Sequence, residues 1–126
     1  MPLSETDLIW NRAALESGGN TARAGDRALA DLLLAHGMVM NGGIGHAVEA
    51  LSSEEFSAAL RGFRFFGFEE VALLLEDALN APEEDLELAD SSYGRLIPND
   101  QVLVDGFEAR HRVSPEAFAP VESSTN

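Results

Sequence analysis

Pairs of carboxylates recur at a fixed spacing in the second half of the chain, and such an array can bind cations or cationic proteins. Doublets lie at positions 69/70, 76/77 and 83/84, each seven residues after the last. Seven residues make two turns of an α-helix, a rise of about 10.5 Å, so successive doublets return to nearly the same face. Like charges at this spacing repel one another and destabilise a helix. A positively charged partner would offset that repulsion.

The doublets fall in a stretch without positive charge. No basic residue lies between Arg64 and Arg95, and Asp90 continues the seven-residue spacing. Pro82 interrupts the helical phase, because proline cannot continue a helix but suits the first turn of the next. We therefore expect a water-facing acidic surface, which either is a solvated face that serves solubility or salt adaptation, or binds a cationic partner. The residues expected to form it are Glu69, Glu70, Leu73, Glu76, Asp77, Glu83, Glu84 and Asp85.

One apolar residue, Leu73, interrupts the acidic side of the helix predicted over residues 68–80. At about 100° per residue it lies about 40° from Glu69, in the middle of the acidic arc. Two arrangements are open. Leu73 packs under Leu86 or Leu88, or it is an exposed apolar contact inside a charged rim, as protein-binding surfaces tend to have.

Histidines are the only other side chains with ligating chemistry, because the chain has no cysteine and its 8 basic residues are all arginine. They are His36, His46 and His111. His46 and Glu49 share a helix face, which would be half of a metal site, but no second pair of this kind follows. We predict an ordinary helical ion pair or a capped histidine at this position, with no metal and no cofactor. The absence of cysteine and lysine also excludes thiolate and Schiff-base chemistry.

The segment Gly42-Gly43-Ile44-Gly45-His46 is similar to a phosphate-binding glycine loop, and a helix N-terminus can attract an anion. The dinucleotide fingerprint, however, needs a preceding strand and a third glycine where Val48 stands. We favour a structural interpretation. Asn41 and Gly42 end one helix, and Gly43 permits a sharp turn into the next.

The composition favours helices as the elements that position these residues. Alanine and leucine dominate the apolar residues, whereas valine, isoleucine and threonine are sparse. We predict an all-α fold, a single compact helical domain of six to eight short helices over residues 1–122, and a disordered tail over residues 123–126. A central helix is expected from about Gly25 to Met40. Others are expected before Gly18, over 44–51, from Ser52 to Gly67, over 68–80, weakly over 83–89 and after Asn99, with an irregular stretch over 91–98.

Net charge narrows the function classes. The chain carries 22 acidic and 8 basic residues, a formal charge of −14, so direct binding to nucleic acid or anionic lipid is not expected. Its longest apolar stretch, residues 32–40, is far shorter than the roughly 20 residues of a membrane span. The first seven residues include Glu5 and Asp7 but no basic residue, unlike a signal peptide. We expect a cytoplasmic protein that does not bind membranes.

The segment from His36 to Gly43, followed by residues 44–51, resembles the Asn-Gly-Gly signature of the DNA-mimic protein family. These are small, acidic, helical bacterial proteins, mostly of unknown function. In that family an Ala-rich helix then ends at an aromatic-Gly or Ile-Gly corner and an Ala/Leu-rich helix follows, which residues 59–79 resemble. Tyr93 and residues 102–118 are similar to the C-terminal part. The chain departs from the family after Gly43, where Gly45, His46 and Ala47 replace the usual aromatic residues.

The resemblance implies a non-enzymatic protein that presents ordered carboxylates to a basic DNA-binding protein in place of DNA. A homodimer is compatible with it. Three other interpretations are open. The chain could be an immunity-type inhibitor of a cationic nuclease toxin, or a small enzyme with a pocket that holds His46 or His111 against a carboxylate. Its acidity could also be a general property of the source proteome, for example in a salt-adapted organism. The excess of Glu over Asp, 14 to 8, argues mildly against salt adaptation.

Overall fold

Six α-helices and one 3-10 turn make up the fold. The computed structural model describes residues 3–121, and no strand occurs within them. The all-α prediction is confirmed; the tail predicted over residues 123–126 lies outside the described residues. None of the helices within 3–121 has the length and apolar character needed to cross a membrane. The elements are α1 (Glu5–Glu16), α2 (Ala24–Ala50), α3 (Ser53–Phe65), α4 (Glu69–Ala78), α5 (Glu83–Leu96), α6 (Asp100–Val113) and the 3-10 turn Pro115–Ala117.

Local sequence sets the ends of α3. At its start, the Ser52 hydroxyl accepts the Glu55 N–H at 3.1 Å, and the Glu55 carboxylate accepts the Ser52 N–H at 2.9 Å, which is a capping box. At its end, Gly67 has a φ of 84°, a left-handed value that suits glycine. The N–H of Phe68 donates to the Phe63 carbonyl at 2.8 Å, closing the helix end as a Schellman motif does.

The central helix α2 is kinked at Gly43. It stays helical through Asn41 and Gly42, reaches φ 85° and ψ 174° at Gly43, and resumes at Ile44. The predicted change of direction at this segment is therefore present, as a kink without an intervening loop. The core-facing side of α2 is buried on both sides of the kink, whereas Met40 on the outer side is exposed. The buried apolar residues of α2 are Leu29, Leu32, Ala35, Val39, Ile44 and Ala47.

Aromatic rings fill the core where α3, α6 and the C-terminal segment meet. Phe66 lies 6.2 Å from Phe107 and 6.3 Å from Phe118, measured between ring centroids. Phe63 is fully buried. The aromatic block at positions 63–68 is thus core and helix corner.

Helix α5 continues through the stretch predicted to be irregular. Residues 91–96 are helical, and Tyr93 and Ile97 are buried. The prediction was wrong because Ser91, Ser92 and Gly94 have weak intrinsic helix propensity, and tertiary burial of Tyr93 and Ile97 outweighs it.

Candidate functional site

The predicted acidic surface lies on two helices that pack against each other. Helix α4 ends at Ala78, and Pro82 is the residue immediately before α5. The doublets at 69/70 and 76/77 lie on α4, and the doublet at 83/84 lies in the first turn of α5. The seven-residue repeat therefore does not form one continuous helix face across Pro82.

All seven predicted carboxylates are exposed, but Arg64 divides them into two sets. Its guanidinium lies 3.1 Å from the Glu69 carboxylate and 3.7 Å from that of Glu76. The salt bridges within residues 3–121 include none to the other five. We call these five the unpaired carboxylates; they are Glu70, Asp77, Glu83, Glu84 and Asp85.

The start of α5 tolerates its three acidic residues for a local reason. Glu83, Glu84 and Asp85 all lie in the first turn of this helix. Free N–H groups give the N-terminal end of a helix a partial positive charge, which favours nearby carboxylates. This effect offsets part of the mutual repulsion, so the three charges remain available to a partner.

Leu73 is exposed, with 46% of its surface accessible. Packing under Leu86 or Leu88 is therefore wrong, and Leu88 is itself 69% exposed. The core-facing positions of α4 are taken by Val71, Ala72, Leu75 and Ala78, which leaves Leu73 on the outer side among the acids.

The structure brings Asp77 of α4 and Asp85 of α5 to the same groove. It has a volume of about 510 Å³ and its floor and walls are mainly apolar. The apolar lining consists of Leu74, Ala78, Ala81, Pro82, Leu88 and Ala89. The sequence shows the acids and the leucines but not their meeting across two helices.

Asp90 continues the acidic spacing but has a structural role. Its Oδ1 accepts the N–H of Ile44 at 2.7 Å, at the point where α2 resumes after Gly43. A helix restart has N–H groups without intrahelical partners, and a carboxylate satisfies them as an N-cap does. The capping residue lies 46 positions away in the sequence, so no local pattern reveals it.

His36 forms the polar array that sequence reasoning missed. Its Nδ1 lies 2.7 Å from the Tyr93 hydroxyl, and its Nε2 lies 2.9 Å from Oδ1 of Asp100. Burial, reinforced by the Asp100 charge, raises the pKa of Tyr93, so the hydroxyl keeps its proton. A neutral His36 that accepts from Tyr93 and donates to Asp100 satisfies both contacts.

The array joins three helices, and its tyrosine hydroxyl is not accessible to a substrate. His36 is on α2, Tyr93 on α5 and Asp100 on α6, and only 2% of the Tyr93 surface is accessible. The protonated, buried hydroxyl cannot reach a substrate, and both ring nitrogens of His36 are engaged. We interpret the array as a structural connection. Its partners are 57 and 64 residues from His36, which is why spacing gave no signal.

The other two histidines also have structural surroundings. His111 Nε2 lies 3.0 Å from the Glu5 carboxylate, which connects α6 to α1, and its ring lies 5.4 Å from that of Phe118. His46 packs over Gly42, where an added Cβ would lie 2.7 Å from its ring. Within residues 3–121, no three His, Asp or Glu side chains gather as metal ligands.

A buried carboxylate, that of Asp26, holds the N-terminal end of α2. It is completely buried and lies 2.7 Å from the Arg12 guanidinium. Its other oxygen accepts the N–H groups of Arg23 at 2.9 Å and Ala119 at 2.8 Å. Asp26 therefore connects α1, α2 and the C-terminal segment through one side chain.

Comparison of the sequence with known protein families identifies the family of this chain. Residues 21–119, which are 99 of the 126 residues, match the model of the DMP19-like proteins. This chain belongs to the DMP19-like family. DMP19 proteins are a family of DNA mimics, which supports the resemblance to that family. The match does not show Asn-Gly-Gly to be a family signature. No curated protein and no solved structure matches it.

Proposed function

We propose that this DMP19-like protein is a non-enzymatic interaction protein that occupies the basic surface of a DNA-binding protein. The observation that carries the proposal is the set of five unpaired carboxylates on α4 and α5. All five are exposed, and no salt bridge within residues 3–121 neutralises them. Membership of a DNA-mimic family supports the same function.

The physical basis is that a carboxylate can stand where a phosphate would lie. Both groups accept paired hydrogen bonds from an arginine guanidinium, and both attract lysine. A dense acidic surface also speeds encounter with a cationic partner by long-range steering. The interaction makes and breaks no covalent bond.

Retrieval of the partner from the native host tests the proposal. The tagged protein is incubated with host lysate, and bound proteins are eluted with rising salt and identified. The purified partner is then mixed with labelled duplex DNA, and the unlabelled acidic protein is added. We expect the acidic protein to displace the DNA from the partner. The concentration needed is set by the dissociation constant of the acidic protein for the partner and by the competing DNA.

The variant Glu83→Gln/Glu84→Gln/Asp85→Asn provides the control, because it removes three charges from α5 and keeps side-chain size. It should release DNA only at about tenfold higher concentration or more. Release at the wild-type concentration would contradict the proposal. A nuclease toxin as the eluted partner would instead assign the chain to the immunity-type inhibitors.

A further inference from the structure

The groove between α4 and α5 combines apolar walls with acidic edges. Leu74 and Ala78 contribute from α4, and Leu88 and Ala89 from α5. Asp77 and Asp85 lie at the same groove, one on each helix. An apolar centre enclosed by polar residues is the arrangement found in protein interfaces.

Several leucines on this surface are exposed to water. An interaction with a partner through charges alone would not require them. Leu88 is 69% exposed, and Leu73 and Leu79 are 46% and 44% exposed. Leu73 and Asp77 are four residues apart on α4 and so share a face, although Leu73 is not among the residues that line the groove. A surface that only imitated DNA phosphates would need carboxylates but no exposed leucines.

The charge around the groove selects the occupant. Glu70 is four residues before Leu74, and Glu84 is four residues before Leu88, so each shares a face with a groove leucine. Together with Asp77 they belong to the unpaired carboxylates, and the sequence has no basic residue between positions 64 and 95. An acidic segment would be repelled by these carboxylates. A neutral apolar segment would gain no electrostatic attraction from them.

We propose that this groove binds a cationic amphipathic segment of the partner, whose apolar side chain enters between α4 and α5 while flanking arginine or lysine residues meet the carboxylates. The inference rests on the proposed function and specifies the chemistry of its partner. It adds an apolar anchor to an interaction that would otherwise be purely electrostatic. Because such an anchor is not screened by salt, part of the affinity must survive high ionic strength.

Three labelled synthetic peptides of about 14 residues test this, a length that forms roughly four helical turns. The first has leucines at helical spacing and arginines elsewhere. The second is a scrambled version with the same composition, and the third keeps the arginines but replaces leucine with serine. Fluorescence anisotropy measures binding to the full chain in about 0.05 M and about 0.5 M salt.

We expect the amphipathic peptide to bind about tenfold more tightly than the serine peptide and to retain measurable binding at the higher salt. Leu88→Gln, which changes no charge, should lower its affinity about tenfold. Leu15→Gln on α1 is the matched control, since Leu15 is 82% exposed and lies outside the groove. Asp77→Asn/Asp85→Asn should weaken binding mainly at low salt.

The outcomes separate the two proposals. Equal affinity for the amphipathic and serine peptides, with no effect of Leu88→Gln, would overturn the apolar anchor and leave the carboxylate surface intact. Failure of all three peptides to bind at low salt would overturn both. A concentration-dependent dimer that Leu88→Gln abolishes, measured by sedimentation, would assign the groove to a second copy of the chain and also overturn the inference.

Discussion

Carboxylates serve opposite purposes in two regions of this molecule. Asp26, Asp90 and Asp100 each form a hydrogen bond with a distant part of the chain and hold helices together. The five unpaired carboxylates of α4 and α5 are exposed and make no salt bridge within residues 3–121. Removing a carboxylate of the first kind should therefore destabilise the fold. Removing one of the second kind should leave the fold unchanged and weaken binding.

Asp26→Ala should give the largest loss of stability. It deletes the partner of Arg12 and leaves the buried N–H of Ala119 and the partly buried N–H of Arg23 without an acceptor. We expect the free energy of unfolding to fall by about 3 kcal/mol or more, measured by urea titration. Asp77→Ala, at an exposed and unpaired position, should change it by less than about 0.5 kcal/mol. Equal effects of the two substitutions would remove the distinction between the regions.

Gly43→Val should be the next most destabilising change. The backbone of Gly43 has φ 85° and ψ 174°, a region that is essentially restricted to glycine, and an added Cβ would lie 3.0 Å from Oδ2 of Asp90. We expect a loss of about 2 kcal/mol, seen as a lower melting temperature.

Gly37→Ala is its matched control, because Gly37 lies in the same helix and a Cβ there meets nothing within 4 Å. This variant should be as stable as the wild type or more stable, since alanine has the higher helix propensity. A melting temperature unchanged by Gly43→Val would contradict the structural role of the segment.

Asp90→Ala should cost about 1 kcal/mol, because the N–H of Ile44 loses its cap. Glu87→Ala, three residues earlier on the same helix and exposed, should cost less than half as much. Thermal unfolding of both variants checks this, and amide exchange of Ile44 should accelerate in the first only. A larger loss of stability in Glu87→Ala than in Asp90→Ala would contradict the structural role of Asp90.

Asp31 is intermediate between the carboxylates that hold helices together and the unpaired carboxylates, because it is partly buried. Its substitution should have the smallest effect on stability. Partial burial raises its pKa above the ordinary value of 3.8, although Arg61 and Arg27 oppose this. A raised pKa in the folded state favours the protonated form, so stability from this group is present at low pH and declines as pH rises. Asp31→Asn should therefore gain stability relative to the wild type between about pH 3 and pH 6. A difference that is constant across that range would contradict the effect of burial.

Local signals in the sequence predicted helix ends well and long-range polar contacts poorly. Ser52 and Gly67 cap and end α3 through bonds to residues within a few positions, which a sequence pattern can represent. The partners of Asp90 and His36 lie 46 to 64 residues away, so their pairing depends on the assembled fold. The same limit applies to the acidic surface. Its members could be named in advance, but not the division made by Arg64 or the groove shared by Asp77 and Asp85.

Two charge-matched variants distinguish a binding surface on α4 and α5 from an effect of net charge alone. Glu83→Gln/Glu84→Gln/Asp85→Asn removes three charges from α5, and Glu16→Gln/Glu49→Gln/Glu54→Gln removes three exposed charges from other helices. The dissociation constant of each for the retrieved DNA-binding partner is measured over a series of salt concentrations. We expect the α5 variant to bind at least about tenfold more weakly than the wild type at low salt and to lose most of its salt dependence, while the control stays within about twofold of the wild type. Equal losses in the two variants would show that only net charge matters, and would contradict a binding surface on α4 and α5.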